Sequence, residues 1–395
     1  MKKLFRKIPL WVLLFLLISA SFTLRKPLFS VSSYAPDPDW TGVLRIWVCA
    51  SSPFGTGSGL SWLNSRAAAY ERSHPGVRIQ FTDVPAETAS SFENCEHPPD
   101  GLIFTPGTLA SADHLLSLPI PPEIADVFIA CGTSDGEFKA VPVAAGAYFW
   151  ICADSTLSCA PGSADCPPEY SFYAPTDTPA ASYSAALLAC FTGNSLSGRP
   201  SQYSGADLGL PQAAATEPPV SQSIPLRKPL LFAGDARSHS SVYSLFASGQ
   251  ADAIIATVQD LSRIRLLAGE GRAPEYTVFP GGTAFTDLIA LAAVVDDPSP
   301  GSDDRERICA DFFSHLLTEE SQQALANVLA FRTTNGDPLY STSRDGMAAV
   351  EASLHSGIIV PNAFDPTWRE RAAQSAQLFI ETNSSAADLF YNIFS

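Results

Sequence analysis

Basic side chains are scarce in this 395-residue chain: 24 Lys and Arg stand against 40 Asp and Glu, a formal net charge of −16. Six of the bases (Lys2, Lys3, Arg6, Lys7, Arg25 and Lys26) fall within residues 1–26, which hold no acid, so the rest of the chain carries about −22. Nucleic-acid phosphates and anionic lipid would repel a body of that sign, and neither is an expected ligand. No C-x-x-C occurs, and no His/Cys spacing suits zinc. His97 has Glu93, Cys95, Glu96 and Asp100 nearby, but the spacing fits no ligand template, and a solvated loop is the simpler origin. No metal and no cofactor are expected. Internal repeats with periods of 20 to 50 residues are absent as well.

What is present begins with an address. Lys2, Lys3, Arg6 and Lys7 precede 17 uncharged residues, Ile8 to Leu24, at the short end of the roughly 17–25 that span a bilayer. The basic flank predicts the N-terminus inside and the body outside. Residues 1–26 read as a signal peptide or a retained membrane anchor, with a weak small-x-small site at Ser19-Ala20-Ser21. No Cys follows this stretch before Cys49, which argues against lipoprotein processing. The expected location is extracytoplasmic, anchored or secreted. Eight cysteines allow about 105 pairings, with Cys159 and Cys166 the best local pair. Cys49 and Cys152 lie in apolar runs and read as small buried hydrophobes.

Hydrophobic residues make up 46% of the chain and charged ones 16%, enough for two lobes with separate cores. From Val43 to Pro85 an apolar strand enters a Gly/Ser turn, an amphipathic helix follows, and His-Pro-Gly leads into a second strand. The segment P-P-D-G-L-I-F supplies a short strand, and A-D-H-L-L-S-L-P (112–119) predicts a brief helix. D-G-E-F-K-A-V-P-V predicts a hairpin turn and a strand, running on through A-A-G-A-Y-F-W-I-C-A-D as a buried apolar run that suggests a crossing between lobes. Eleven of the 32 prolines fall between Pro161 and Pro229; a helix is predicted there only at 181–191, and 196–228 reads as an excursion. Beyond it come a helix ended near Gly249, a buried strand, the helix Val258–Gly269 and the strand Tyr276–Pro280. The helix Arg305–Leu317 aligns Ile308, Phe312 and Leu316, Thr318 caps the next helix, and two final helices flank H-S-G-I-I-V-P-N-A-F-D-P-T-W. Alternating strands and helices give an α/β class.

Two motifs suggest chemistry and are better explained without it. Gly55-x-Gly57-x-Gly59 lacks the dinucleotide spacing, and a flexible turn accounts for it. Gly132-x-Ser134-x-Gly136 matches a hydrolase elbow, but the residues after it are strand-like where a helix is needed, so a polar turn is expected. Of the aromatics, Trp62, Tyr148, Trp150 and Trp368 stand where strands end or loops begin, which suits sugar rings as well as core packing.

In order, V-L-R-I-W-V…W-L-N…H-P-G-V-R-I, P-D-G-L-I-F, D-G-E-F-K-A-V-P-V, S-L-F-A-S-G-Q-A-D-A-I-I and F-F-S-H-L-L-T-E-E-S-Q-Q-A-L resemble the maltose-binding-like extracellular solute-binding proteins of ABC importers. Two departures are the absent lipobox and Y-F-W-I-C-A-D where Asn-Lys is expected after the hinge tyrosine. The resemblance implies a two-lobed periplasmic-binding-protein-like fold of type II with three hinge crossings. Lobe one would be 43–141 plus 284–329, and lobe two 144–280 plus 334–395. It further implies a monomer that closes over a small solute, favouring a carbohydrate, and delivers it to permease subunits. Ligand contacts would come from Ser51, Ser52, Trp62, Thr105, Tyr148, Thr283 and Trp368, with no catalytic residue. Two alternatives remain: a membrane-tethered solute sensor, and a secreted serine hydrolase using Ser134.

Overall fold

The computed structural model describes residues 40–49, 54, 59–153, 172–173, 239–280, 286–299, 301–340, 346–355, 361–365 and 367–382. Residues 1–26, Ser51, Ser52, Thr283, the Cys159/Cys166 pair, the helix read at 181–191 and the excursion 196–228 lie outside them. Among the described residues no helix is long and apolar enough to cross a membrane.

The opening unit folds as its pattern predicts. Strand β1 (Gly42–Cys49) leads to helix α1 (Gly59–Ser73) and strand β2 (Val77–Asp83), and β1 and β2 pair in parallel from Gly42/Val77 to Val48/Asp83. Leu44, Ile46 and Val48 are buried and alternate along β1, while Trp62, Leu63, Ala67 and Tyr70 bury the inner side of α1. Strand β3 (Gly101–Phe104) lies parallel to β1 on its other side.

The run 112–119 corrects the prediction of a helix. Asp113 and His114 make a turn, Leu115 bridges to Val295, and the Leu116 N–H donates to Val294 O at 2.9 Å. Leu118 N–H donates to Phe138 O at 2.8 Å. Extended pairing satisfies these backbone groups, and tertiary contacts override local propensity.

A hairpin of β4 (Thr133–Ser134) and β5 (Glu137–Phe138) follows, turned by Asp135 and Gly136, both at positive φ as the primed hairpin turn requires. The long apolar run then divides. Strand β6 (Val141–Ala145) belongs to one sheet and β7 (Phe149–Ala153) to another, and both are wholly buried. Gly146, Ala147 and Tyr148 make the link.

The second sheet adds β8 (Phe172–Tyr173), β9 (Ala253–Ala256) and β10 (Tyr276–Pro280) in the order β10-β7-β9-β8. Helix α2 (His239–Ala247) precedes β9, and helix α3 (Val258–Gly269) follows it. Past α2 the chain turns at Gly249, with Gly249 N–H on Phe246 O and Gln250 N–H on Leu245 O. Asp260 in the first turn of α3 accepts the Thr257 N–H at 3.0 Å and its hydroxyl at 3.1 Å.

Strand β11 (Ile289–Val294) returns to the first sheet, antiparallel to β3 and β6, completing the order β2-β1-β3-β11-β6. Helix α4 (Asp303–Leu316) packs on it with Ile308, Phe312 and Leu316 fully buried. Thr318 caps α5 (Glu319–Gln323), bonding the Ser321 hydroxyl at 3.0 Å. Buried Gln322 donates to Val143 O on β6 and accepts the Thr333 N–H. Phe331 exchanges two backbone bonds with Ala145, after which α6 (Met347–His355) packs on β10 of the second sheet. The last helix is α7 (Trp368–Thr382).

Candidate functional site

In an open α/β sheet the groups left for a ligand lie past the carboxyl ends of the parallel strands. Here that edge is formed by Cys49, Asp83 and the loop Thr105-Pro106-Gly107 after β3. The antiparallel β11 begins at the same edge, so Thr286, Asp287 and Leu288 join it. The link from β6 to β7 runs beside them: Gly146 N–H donates to Leu288 O at 2.5 Å, and the Thr286 hydroxyl donates to Gly146 O at 3.1 Å. This edge therefore lies where the two sheets are joined.

The segment leading into α7 packs on this edge. Gly107 N–H donates to Ala363 O at 2.8 Å, and Ala363 N–H to Cys131 O at 2.9 Å. Phe364 lies against Phe104 with ring centroids 6.1 Å apart. Arg369 donates to Pro106 O at 3.1 Å, and its guanidinium lies 5.5 Å from the centroid of the Trp368 ring. Gly107 has φ +75, and a Cβ there would come within 2.8 Å of Trp368 Nε1. Glycine is what lets the loop and the indole meet.

Tyr148 is 4% exposed, and its hydroxyl donates to Asp287 Oδ1 at 3.1 Å. Asp287 is half-buried beside this link. Desolvation pushes its carboxyl above the usual aspartate range; its own backbone N–H, the Tyr148 hydroxyl and the more distant Arg369 oppose this. Burial likewise raises the Cys49 thiol, reinforced by Asp83 and Glu87 and opposed by Arg369. That thiol stays protonated and is a poor nucleophile.

Of the residues singled out by sequence, Thr105, Tyr148 and Trp368 lie near one another along this edge. Thr105 is half-buried, its hydroxyl 3.3 Å from that of Thr108. Trp368 is only 1% exposed, enclosed between Gly107 and Arg369. Trp62 is elsewhere: it is 3% exposed in the core, with Phe54 against it, and its Nε1–H donates to Ser321 O at 3.1 Å. Ser51, Ser52 and Thr283 lie outside the described residues. Ser134 sits on the β4 strand of a hairpin, its hydroxyl on Asp135 at 3.3 Å. The strand–turn–helix of a nucleophile elbow is not formed there. Asp287 and Arg369 were missed by sequence reasoning. The available signal was an acid opening an otherwise apolar run, T-D-L-I-A-L-A-A-V-V, which starts four residues after the Gly281-Gly282 joint.

A cavity of about 290 Å³ lies at the opposite end of the first sheet, lined by Arg45, Glu96, His97, Asp100, Asp297 and Arg305. Both arginines are held by carboxylates: Asp100 meets Arg305 Nε at 3.2 Å and Arg45 at 3.6 Å, and Asp297 pairs with Arg305. Among the described residues no group of three His, Cys, Asp or Glu could hold a metal.

No family model and no curated relative matches the chain. Solved structures do. The cyclic α-maltosyl-1,6-maltose binding protein of Arthrobacter globiformis is 14% identical, with a TM-score of 0.59 over 90% of this chain and 97% of that one. The sugar-binding protein MalE of Xanthomonas citri is 11% identical, with a TM-score of 0.59 over 89% and 95%. The GacH receptor of Streptomyces glaucescens, solved unliganded and with acarbose, is 13% identical, with a TM-score of 0.55 over 90% and 97%. The chain has the two-lobed α/β fold of the maltose-binding-like solute-binding proteins.

Proposed function

We propose that this protein binds a carbohydrate outside the cytoplasm by closing its two lobes about their joining strands, and delivers it to the permease of an ABC importer. Lobe one would comprise 43–141 and 284–329, lobe two 144–280 and 334–395, with residues 1–26 exporting or anchoring the chain. The observation that carries this reading is the fold of sugar-binding proteins, with a polar loop, a tyrosine–carboxylate pair and a tryptophan gathered where the two sheets join. Thr105, with Ser51, Ser52 and Thr283, would bond sugar hydroxyls; Tyr148 would offer its ring edge. Trp368 would stack on a sugar face once lobe opening draws it off Gly107. Hinge closure couples binding to a shape that a permease can recognise. Trp62 is left out because its N–H and ring are used within the core.

The test is thermal unfolding of the full-length protein against maltotetraose and other neutral and charged oligosaccharides. A ligand that binds only the folded state adds about 2.7 kcal/mol at a hundredfold excess over Kd. A shift with one sugar class is expected. Flat curves with every oligosaccharide at millimolar concentration would overturn the carbohydrate assignment.

A further inference from the structure

The cavity at the far end of the first sheet has no part in the function proposed above. Its volume of about 290 Å³ sits at the lower edge of the roughly 300–1,000 Å³ usual for small-molecule sites, so it suits one small metabolite and not an oligosaccharide. Three segments build it: Arg45 on β1, the approach to β3 with Glu96 and Asp100, and the stretch from β11 into α4 with Asp297, Arg305 and Glu306. Its frame is fixed within the chain. Asp100, 7% exposed, accepts the Arg45 backbone N–H at 2.6 Å and meets Arg305 Nε at 3.2 Å, while Arg305 Nη2 is taken by Asp297. Ser299 N–H holds Asp297 in turn at 3.0 Å.

The rest of the lining keeps capacity in hand. The Arg45 side chain is 43% exposed, and among the described residues its guanidinium makes an ion pair with Asp100 at 3.6 Å and no hydrogen bond. Glu306 accepts the Asp297 N–H on Oε1 at 3.1 Å, which leaves Oε2 for a ligand. Glu96 is exposed on the rim. A guanidinium fork matches a carboxylate, and a carboxylate takes an ammonium group. Four carboxylates line the cavity against two guanidinium groups, so a ligand that answers the whole lining carries more positive charge than negative. We infer that this cavity is a second binding site, for a free basic amino acid: Arg45 receives its carboxylate, and Glu96 and Glu306 receive its two ammonium groups. This goes beyond the carbohydrate reading and does not rest on it.

Isothermal titration of the full-length protein with L-lysine, L-lysinamide and L-glutamate tests this, in about 0.15 M salt so that unpaired surface charge is screened. L-lysine should bind and L-glutamate should not. Lysinamide, which lacks the carboxylate, should bind about fivefold more weakly, the effect of one partly exposed ion pair. Arg45→Gln removes the fork but keeps the backbone N–H on Asp100; it should weaken lysine about fivefold and leave lysinamide unweakened. Glu96→Gln should weaken both. Silence with lysine, lysinamide binding as tightly as lysine, or an unchanged lysine affinity in Arg45→Gln would each overturn the site. Prior saturation with maltotetraose should leave the lysine titration unchanged, and competition between them would overturn a separate site. Lysine binding as described with maltotetraose silent keeps this site and removes the carbohydrate reading. Thermal unfolding of each variant separates loss of binding from loss of fold.

Discussion

Asp100 and Asp287 occupy opposite ends of the same five-stranded sheet, each at the mouth of a buried strand, and they are treated in opposite ways. Asp100 accepts the Arg45 backbone N–H at 2.6 Å and faces two guanidinium groups, those of Arg305 and Arg45. Asp287 takes one side-chain hydrogen bond, from the Tyr148 hydroxyl, and forms no ion pair among the described residues. At the first end two arginines hold the acid in place. At the second end a neutral hydroxyl does so, at the point where the two sheets join.

The largest effect should come from breaking the satisfied end. Asp100→Ala leaves two guanidinium groups facing each other and an orphaned Arg45 N–H. Because both arginines are partly exposed, the loss should be about 3 kcal/mol, the lower edge for a broken buried pair. Urea unfolding measures it, and solute affinity should not change. An intermediate effect is expected at the contact of Gly107 with Trp368. Gly107→Ala combines a left-handed backbone with a Cβ pressed on Trp368, and should destabilise by about 1–2 kcal/mol while also weakening solute binding. A loss of stability with binding intact would separate Trp368 from the site.

The smallest effect is the most discriminating, because the two ends respond to pH with opposite signs. Hydrogen bonds from Ser299, then Arg305, hold Asp297 below the ordinary carboxylate range. Its contribution is therefore present above its unfolded pKa, about 3.9, and is lost as pH falls through the lower folded value. Asp287 is raised, so its contribution is present below about 3.9 and is lost as pH rises through the higher folded value. Melting curves across the acid range should show Asp297→Asn flattening the acid side, and Asp287→Asn removing a decline on the neutral side. Parallel curves for both variants would mean that the two ends do not differ as described.

Much of the framework was legible in the residues. The helix Val258–Gly269 and the strand Tyr276–Pro280 appear with the limits that capping and apolar patterning set. The helix at Arg305 begins two residues earlier, at Asp303, where acids favour the first turn. The division of A-A-G-A-Y-F-W-I-C-A-D between two sheets follows from an apolar run too long for one strand. Local pattern failed at 112–119, where pairing beside β11 decided the outcome. It also failed at Trp62, since nothing in S-W-L-N distinguishes an indole that faces a ligand from one that reaches Ser321, 259 residues away. Asp287 and Arg369 acquire their meaning from Tyr148 and Pro106, which no local window contains.

The grip of residues 361–365 on the first sheet runs through main-chain atoms: Gly107 N–H to Ala363 O and Ala363 N–H to Cys131 O, joined by the Asn362 side chain on Thr133 O. Two of those three donors are amide protons whose exchange with solvent can be timed. They form a gauge built into the chain: if the lobes part, both protons exchange at the rate of opening, and a bound solute slows them together. Deuterium uptake at Gly107 and Ala363 would thus read closure directly, without a label and without knowing beforehand which solute causes it.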